Sequence, residues 1–314
     1  MKKLLFLIAI CLFISSNSFA WDDTGHKLTT YIAWAQMTPQ TREKVFNLLM
    51  AAPEDSDLSV FYLQGSRSEE AKRLELFMIA STWADIIRDN KNFKARNKKY
   101  HHGNWHYLDT LWSEENGKIT IIPKTEEEGE NAVERLFAFD KLMRDATKLD
   151  DDKAIALAWF LHLGGDIHQP LHCSGRVTSW AAKGDQGGNI FSLSPKDTPR
   201  EKRENLHWYW DSIIGRNVSR INDACDSSYL PTIAKRIMKK FPNANYANRL
   251  KIGKYDEWQQ EGFQIASKEV YKNGLKDFET PSEKYKKRAY VISQEQIALA
   301  GYRMGQTLNE MFGK

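Results

Sequence analysis

Thiols are scarce in this chain. Three cysteines in 314 residues are too few for a disulfide-built scaffold or for metal sites closed by thiolate clusters. One of them, Cys11, falls in a leader, which leaves Cys173 and Cys225. In an oxidising compartment such an even pair is expected to be bridged, stabilising by about 4 kcal/mol in the chain-entropy model. A membrane-spanning run is also missing. The longest apolar stretch, Leu4 to Ile14, stops at Ser15-Ser16-Asn17, short of the ~20 residues a bilayer requires. Neither charge sign dominates: 45 Lys and Arg face 41 Asp and Glu, a formal +4, which argues neither for nor against a polyanionic partner. There is no internal repeat, low-complexity tract or long Pro- or Ser-rich linker to divide the chain.

At the start, Lys2 and Lys3 precede the apolar run, and Ser18-Phe19-Ala20 supplies a small-x-small cleavage site. Residues 1–20 therefore read as a secretory signal peptide, with the mature chain beginning at Trp21 and the product periplasmic or secreted. Residues 21–314 read as one domain, for which 41% hydrophobic content and ten Trp are ample core material. Apolar residues recur at three- and four-residue spacing in Thr24 to Met50, Glu69 to Arg88, Glu126 to Lys148, Asp151 to Gln169, Leu230 to Phe241 and Glu283 to Met311. Strand signals are weak, and Lys118 to Pro123 and Asn189 to Leu193 are the candidates. The expected fold is an all-α, single-domain helical bundle with a few short strands in its loops.

The chemistry concentrates in His and Asp. His162 and Asp166 stand four apart in Trp159-Phe160-Leu161-His162-Leu163-Gly164-Gly165-Asp166, so on a helix both project from one face, as two ligands of one metal would. Pro170 then ends the helix and lets His172 turn elsewhere. His207 and Asp211 repeat the spacing. One such pair is weak evidence, since a lone His on an apolar face is usually a satisfied core residue; two pairs in a chain with eight His are harder to dismiss. His26, Asp85, His106 and Asp109 also stand near Trp residues. Imidazole and carboxylate donors without thiolates suit zinc. Cleavage after Ala20 would free the amine of Trp21, whose reference pKa of roughly 7.7 makes it available to a metal near neutral pH.

In order and combination, the motifs resemble those of the single-strand-specific zinc nucleases of fungi, plants and bacteria, the S1/P1 nucleases, over essentially the whole mature chain. They are Trp21 with His26 five residues on, Trp83-Ala84-Asp85, Trp105-His106-Tyr107-Leu108-Asp109, Gly165-Asp166-Ile167-His168-Gln169-Pro170-Leu171-His172, Asp185-Gln186-Gly187-Gly188-Asn189 and His207 with Asp211. The resemblance implies three zinc ions: one held by Asp85, His106, His162 and Asp166, a second by His172, His207 and Asp211, and a third by His26, Asp166 and the amine and carbonyl of Trp21. Asp166 would bridge two ions. His168 is not a ligand in that pattern and is assigned to packing, while His101 and His102 fall in a polar, basic run and read as solvated.

The same resemblance implies hydrolysis of phosphodiester bonds in single-stranded DNA and RNA and a 3′-nucleotidase activity, with 5′-phosphorylated products. Asp85 would orient the attacking water and Arg88 would pair with the phosphate; a surface ion pair is the plain alternative for Arg88. Tyr107 would stack on a base, Asp109 would read its edge, and Asn189 after two glycines would approach the substrate. Stacking on an unpaired base is worth ~1–3 kcal/mol, which a duplex offers only after unstacking. A zinc phospholipase C, which typically has Glu in place of Asp211, and a non-catalytic zinc-binding protein are the rival readings.

Overall fold

The computed structural model describes residues 21–123, 130–218, 226–272 and 274–313. The expected signal peptide and Cys225 lie outside the described residues. The helices are α1 (Asp23–Gln36), α2 (Pro39–Met50), α3 (Glu69–Ala80), α4 (Trp83–Ile86), α5 (Lys94–Tyr100), α6 (Ala132–Arg144), α7 (Asp150–Asp166), α8 (Leu206–Arg216), α9 (Asp226–Lys240), α10 (Tyr255–Ile265) and α11 (Glu283–Phe312). The mostly helical architecture is the one expected. A small sheet of order β2-β1-β3 accompanies them, with β1 (Thr110–Glu115) antiparallel to β2 (Lys118–Ile121) and parallel to β3 (Ser174–Arg176). The strand expected at 118–123 is thus β2. The one expected at 189–193 is turn structure with a single bridge from Ser192 to Asn205.

Two long periodic segments are broken where local chemistry competes with the helix. Thr38 accepts from the Thr41 amide at 3.1 Å and Pro39 opens α2, a helix start written inside the run from Thr24 to Met50. Between α3 and α4, the Ser81 and Thr82 hydroxyls donate back to the Met78 and Ile79 carbonyls at 2.7 and 2.8 Å, and the Asp85 amide shifts to the Thr82 carbonyl. Helices α5, α8 and α10 were not anticipated as separate elements; each is 11 residues or fewer.

Helix α7 is the axle. It is apolar around nearly its whole circumference and buried from Lys153 to Asp166, apart from Ile155, as a helix without a polar face must be. Asp150, Asp151 and Asp152 complement its N-terminal dipole. Helices α1, α2, α4, α6 and α11 pack around it. Helix α1 lies in a notch on α11 made by Gly301 and Gly305: a Cβ at Gly301 would come within 2.6 Å of the Ile32 Cβ, and one at Gly305 within 2.7 Å of the Ala33 carbonyl. Three of the fully buried Trp rings have their N–H groups satisfied: Trp83 donates to the Ser56 carbonyl, Trp112 to Ser174 and Trp210 to Tyr285, at 2.8, 2.8 and 2.9 Å.

Cys173 is a free thiol here, fully buried, its Sγ 3.3 Å from the Ile167 carbonyl. Its expected partner, Cys225, lies outside the described residues. The sulfur faces inward, so close to α10 that a Cβ at Gly262 would lie 2.5 Å from it.

Candidate metal centre

The last turn of α7 places His162 and Asp166 on one face, as the four-residue spacing requires. Asp166 is fully buried, and its two oxygens are divided. Oδ1 lies 3.3 Å from His26 Nε2, delivered by α1, while Oδ2 lies 3.2 Å from His106 Nδ1 and 3.3 Å from His162 Nε2. The His106 and His162 nitrogens are themselves 2.9 Å apart. Asp85, from the short α4, brings Oδ1 to 3.8 Å from His162 Nε2. A neighbouring group forms where α8 meets the turn Pro170–Cys173: Asp211 lies 3.4 Å from His207 Nε2 and 3.8 Å from His172 Nε2. Donor atoms of His26, Asp85 and His162, of His106, His162 and Asp166, and of His172, His207 and Asp211 fall within 4.8 Å of one another in each trio.

Backbone carbonyls aim these rings. The Nδ1–H groups of His162, His172 and His207 donate to the Ser81, His106 and Gly187 carbonyls at 2.7, 2.8 and 2.8 Å. Each Nε2 lone pair is thereby turned toward the centre, the usual arrangement around a ligated metal. The break between α3 and α4 frees the Ser81 carbonyl for this role. The left-handed φ of +60° at Gly187 serves the same end, since a Cβ there would stand 2.4 Å from the Leu171 carbonyl. Gly165 admits His26, whose Nδ1 would be 2.7 Å from an added Cβ. Gln169 was not anticipated as a site residue. It caps the turn after α7 through the Leu171 amide and donates to Asp211 Oδ1, both at 2.6 Å.

Burial sets the electrostatics. It lowers the imidazole pKa of His26 to about 4 and pushes those of His106, His162, His172 and His207 down as well. It raises the carboxyl groups of Asp85, Asp166 and Asp211. Among the buried polar atoms without a hydrogen-bond partner are His26 Nε2, His172 Nε2, Asp166 Oδ1 and Asp211 Oδ2. Buried polar groups are rarely left in that state. Convergent nitrogen and oxygen donors with no thiolate fit zinc, which a shared cation would satisfy at once.

Arg88 sits at the mouth with its Nε 3.1 Å from Asp85 Oδ1. Its charge adds to burial in disfavouring protonation of His26, His106, His162, His172 and His207. Trp21 is fully buried beside Gly25, and the next residue, Asp22, caps α1 and donates its amide to the Asp211 carbonyl at 2.9 Å. That bond fastens the start of the described chain to a candidate ligand. Tyr107, adjoining His106, is 40% exposed; Asp109 and Asn189 are half-buried, and the Asn189 amide donates to the Gln186 carbonyl at 2.9 Å. His168 stays out of the cluster, bonded to the Gly164 carbonyl and to the buried Arg303 at 2.7 and 2.8 Å. His101 is half-buried, and His102 is exposed but lies flat on Trp105, centroids 3.7 Å apart.

Endonuclease 2, Endonuclease 1 and Endonuclease 5 of Arabidopsis thaliana are 30%, 29% and 27% identical to this chain over 164, 165 and 169 residues. Each alignment covers 50% of the chain and 52%, 49% and 51% of the relative, so the chain spans about half the length of the curated relatives it matches. The S1/P1 Nuclease family model, by contrast, matches residues 21–313. With that match spanning every candidate donor from Trp21 to Asp211, the chain belongs to the S1/P1 nuclease family.

Proposed function

We propose that this protein is an exported, zinc-dependent phosphodiesterase that cleaves single-stranded DNA and RNA and removes the 3′-phosphate of nucleotides, leaving 5′-phosphorylated products. The division of Asp166 between His26 on one oxygen and His106 with His162 on the other carries this reading, because a carboxylate so placed could serve two cations, one with each set of imidazoles. His172, His207 and Asp211 would hold a further ion. The His26 group would be completed by the amine and carbonyl of Trp21 after removal of residues 1–20, and the family match beginning at Trp21 supports that start. Bound there, three zinc ions supply Lewis acidity to the phosphate oxygens and lower the pKa of water.

The residues of the chain do the positioning. Asp85 orients the attacking water, and Arg88 beside it pairs with a non-bridging phosphate oxygen. The water oxygen bonds to phosphorus, the bond to O3′ breaks, and O3′ leaves with a proton. Tyr107 offers a face for an unpaired base, with Asp109 reading its edge and Asn189 approaching the substrate. The test is parallel digestion of single-stranded DNA, duplex DNA, a 3′-mononucleotide and phosphatidylcholine by zinc-loaded protein beginning at Trp21. Cleavage of the single strand and of the mononucleotide is expected. Cleavage of the lipid alone overturns the reading, and full activity in excess chelator removes its metal basis.

A further inference from the structure

A cavity of about 510 Å³ opens beside the centre and shares Asp85 with it. Phe61, Ile86 and Trp208 supply apolar wall, while Asp22 and Asp23 line it from the start of α1. Tyr107 is not part of it. Its size falls in the range that holds small organic ligands. Trp208 follows the candidate ligand His207 directly and is 40% exposed, which is unusual for a large aromatic in a chain whose other Trp rings are mostly buried.

Resting on the proposed hydrolysis, we infer that this cavity is a second base site, taking the base of the nucleotide that keeps the phosphate on its O5′, and that it favours bases bearing an exocyclic amino group. The assignment of side follows from the chemistry. Breaking the bond to O3′ separates two nucleosides, and a 3′-mononucleotide contains only the one that leaves with a 3′-hydroxyl. The base station serving that substrate is the one at Tyr107, so a cavity apart from Tyr107 yet touching Asp85 serves the other nucleoside. The preference follows from charge. Asp22 and Asp23, on the wall away from the reacting phosphate, repel a phosphate but accept hydrogen bonds from the amino groups of cytosine, adenine or guanine. Lys27, the cation on this wall, is already held by Asp23 and Asp226 at 3.2 and 2.7 Å. Trp208 and Phe61 give a base an aromatic surface to stack on.

The experiment compares zinc-loaded wild type, Trp208→Ala and Phe61→Ala on adenosine 3′-monophosphate and on the dinucleoside monophosphates ApC and ApU, with zinc content measured for each. Equilibrium binding of cytidine 5′-monophosphate is followed alongside. Wild type should prefer ApC over ApU by about fivefold or more. Trp208→Ala should lower kcat/KM on ApC roughly tenfold, weaken cytidine 5′-monophosphate to a similar degree, and leave zinc content and adenosine 3′-monophosphate hydrolysis within about twofold. If both variants match wild type on ApC, or if the mononucleotide reaction falls equally at unchanged zinc content, the second base site is wrong. A wild type that cleaves none of the three substrates would instead defeat the hydrolase reading on which the site rests.

Discussion

Asp166 and Gln169 are three residues apart but do different work. Asp166 faces three imidazoles, His26 on one oxygen and His106 with His162 on the other, so Asp166→Asn removes charge from both sides; His26→Ala removes one donor from one side. Zinc content and turnover should therefore drop further in Asp166→Asn, and the reverse order would argue against sharing. Gln169 touches no candidate cation directly. It holds Asp211 Oδ1 at 2.6 Å, and removing such an outer partner typically weakens metal affinity about 10–100-fold. Gln169→Ala should show that loss in a competitive chelator titration; affinity equal to wild type would make the contact incidental. The pairs His162/Asp166 and His207/Asp211 were legible in the sequence because a helix turns four-residue spacing into a shared face, while His26, Asp85, His106 and His172 were legible only through the order of motifs that resembles the family's. Gln169, the Ser81 carbonyl and the clearance at Gly165 were not, because a backbone acceptor or a missing Cβ acquires meaning only against a neighbour far along the chain.

At the scale of elements, the centre depends on how closely α1 lies against α7 and α11. The Gly301 and Gly305 notch sets that distance. Gly301→Val would drive a branched side chain into Ile32 and cost about 1–3 kcal/mol in overpacking alone. A lowered denaturation midpoint with unchanged slope is expected, and an unchanged midpoint would show that α1 shifts freely. Because α1 carries His26 and follows Trp21, the beginning of that helix should matter to metal as well. Protein retaining one extra residue before Trp21 should lose zinc from the His26 group while keeping its fold; equal zinc content in both forms would exclude the amine as a donor. The α1/α2 and α3/α4 breaks show what periodicity hides. Apolar residues continued at helical spacing through both, but Thr38-Pro39 and the back-bonded hydroxyls of Ser81 and Thr82 ended the helices there. The second break is what releases the carbonyl that aims His162.

Over the whole molecule, enclosing so many titratable groups in one core makes its stability depend on both protons and metal. In metal-free protein, the buried imidazoles resist protonation, His26 down to about 4. As pH falls below the usual 6.5, the unfolded chain takes up protons that the native state refuses, and stability is lost toward about pH 4. Asp166 and Asp211 act in the opposite direction. Burial raises both, so as pH climbs past the unfolded value of 3.8 the unfolded chain releases protons that the native state keeps, and stability is lost as pH rises through the native values. The metal-free fold is thus pressed from both sides. A cation lets the carboxylates ionise without loss, and as pH falls the protons that compete with it are those returning to these raised carboxyl groups, since the buried imidazoles stay neutral to lower pH. The stabilisation gained on adding zinc should therefore be greatest near neutral pH and shrink toward about pH 5. Denaturation midpoints measured in zinc and in chelator across that interval would diverge as pH rises. Two parallel curves would mean that the buried donors do not share their protonation with a metal, and the centre would have to be read as a hydrogen-bonded core.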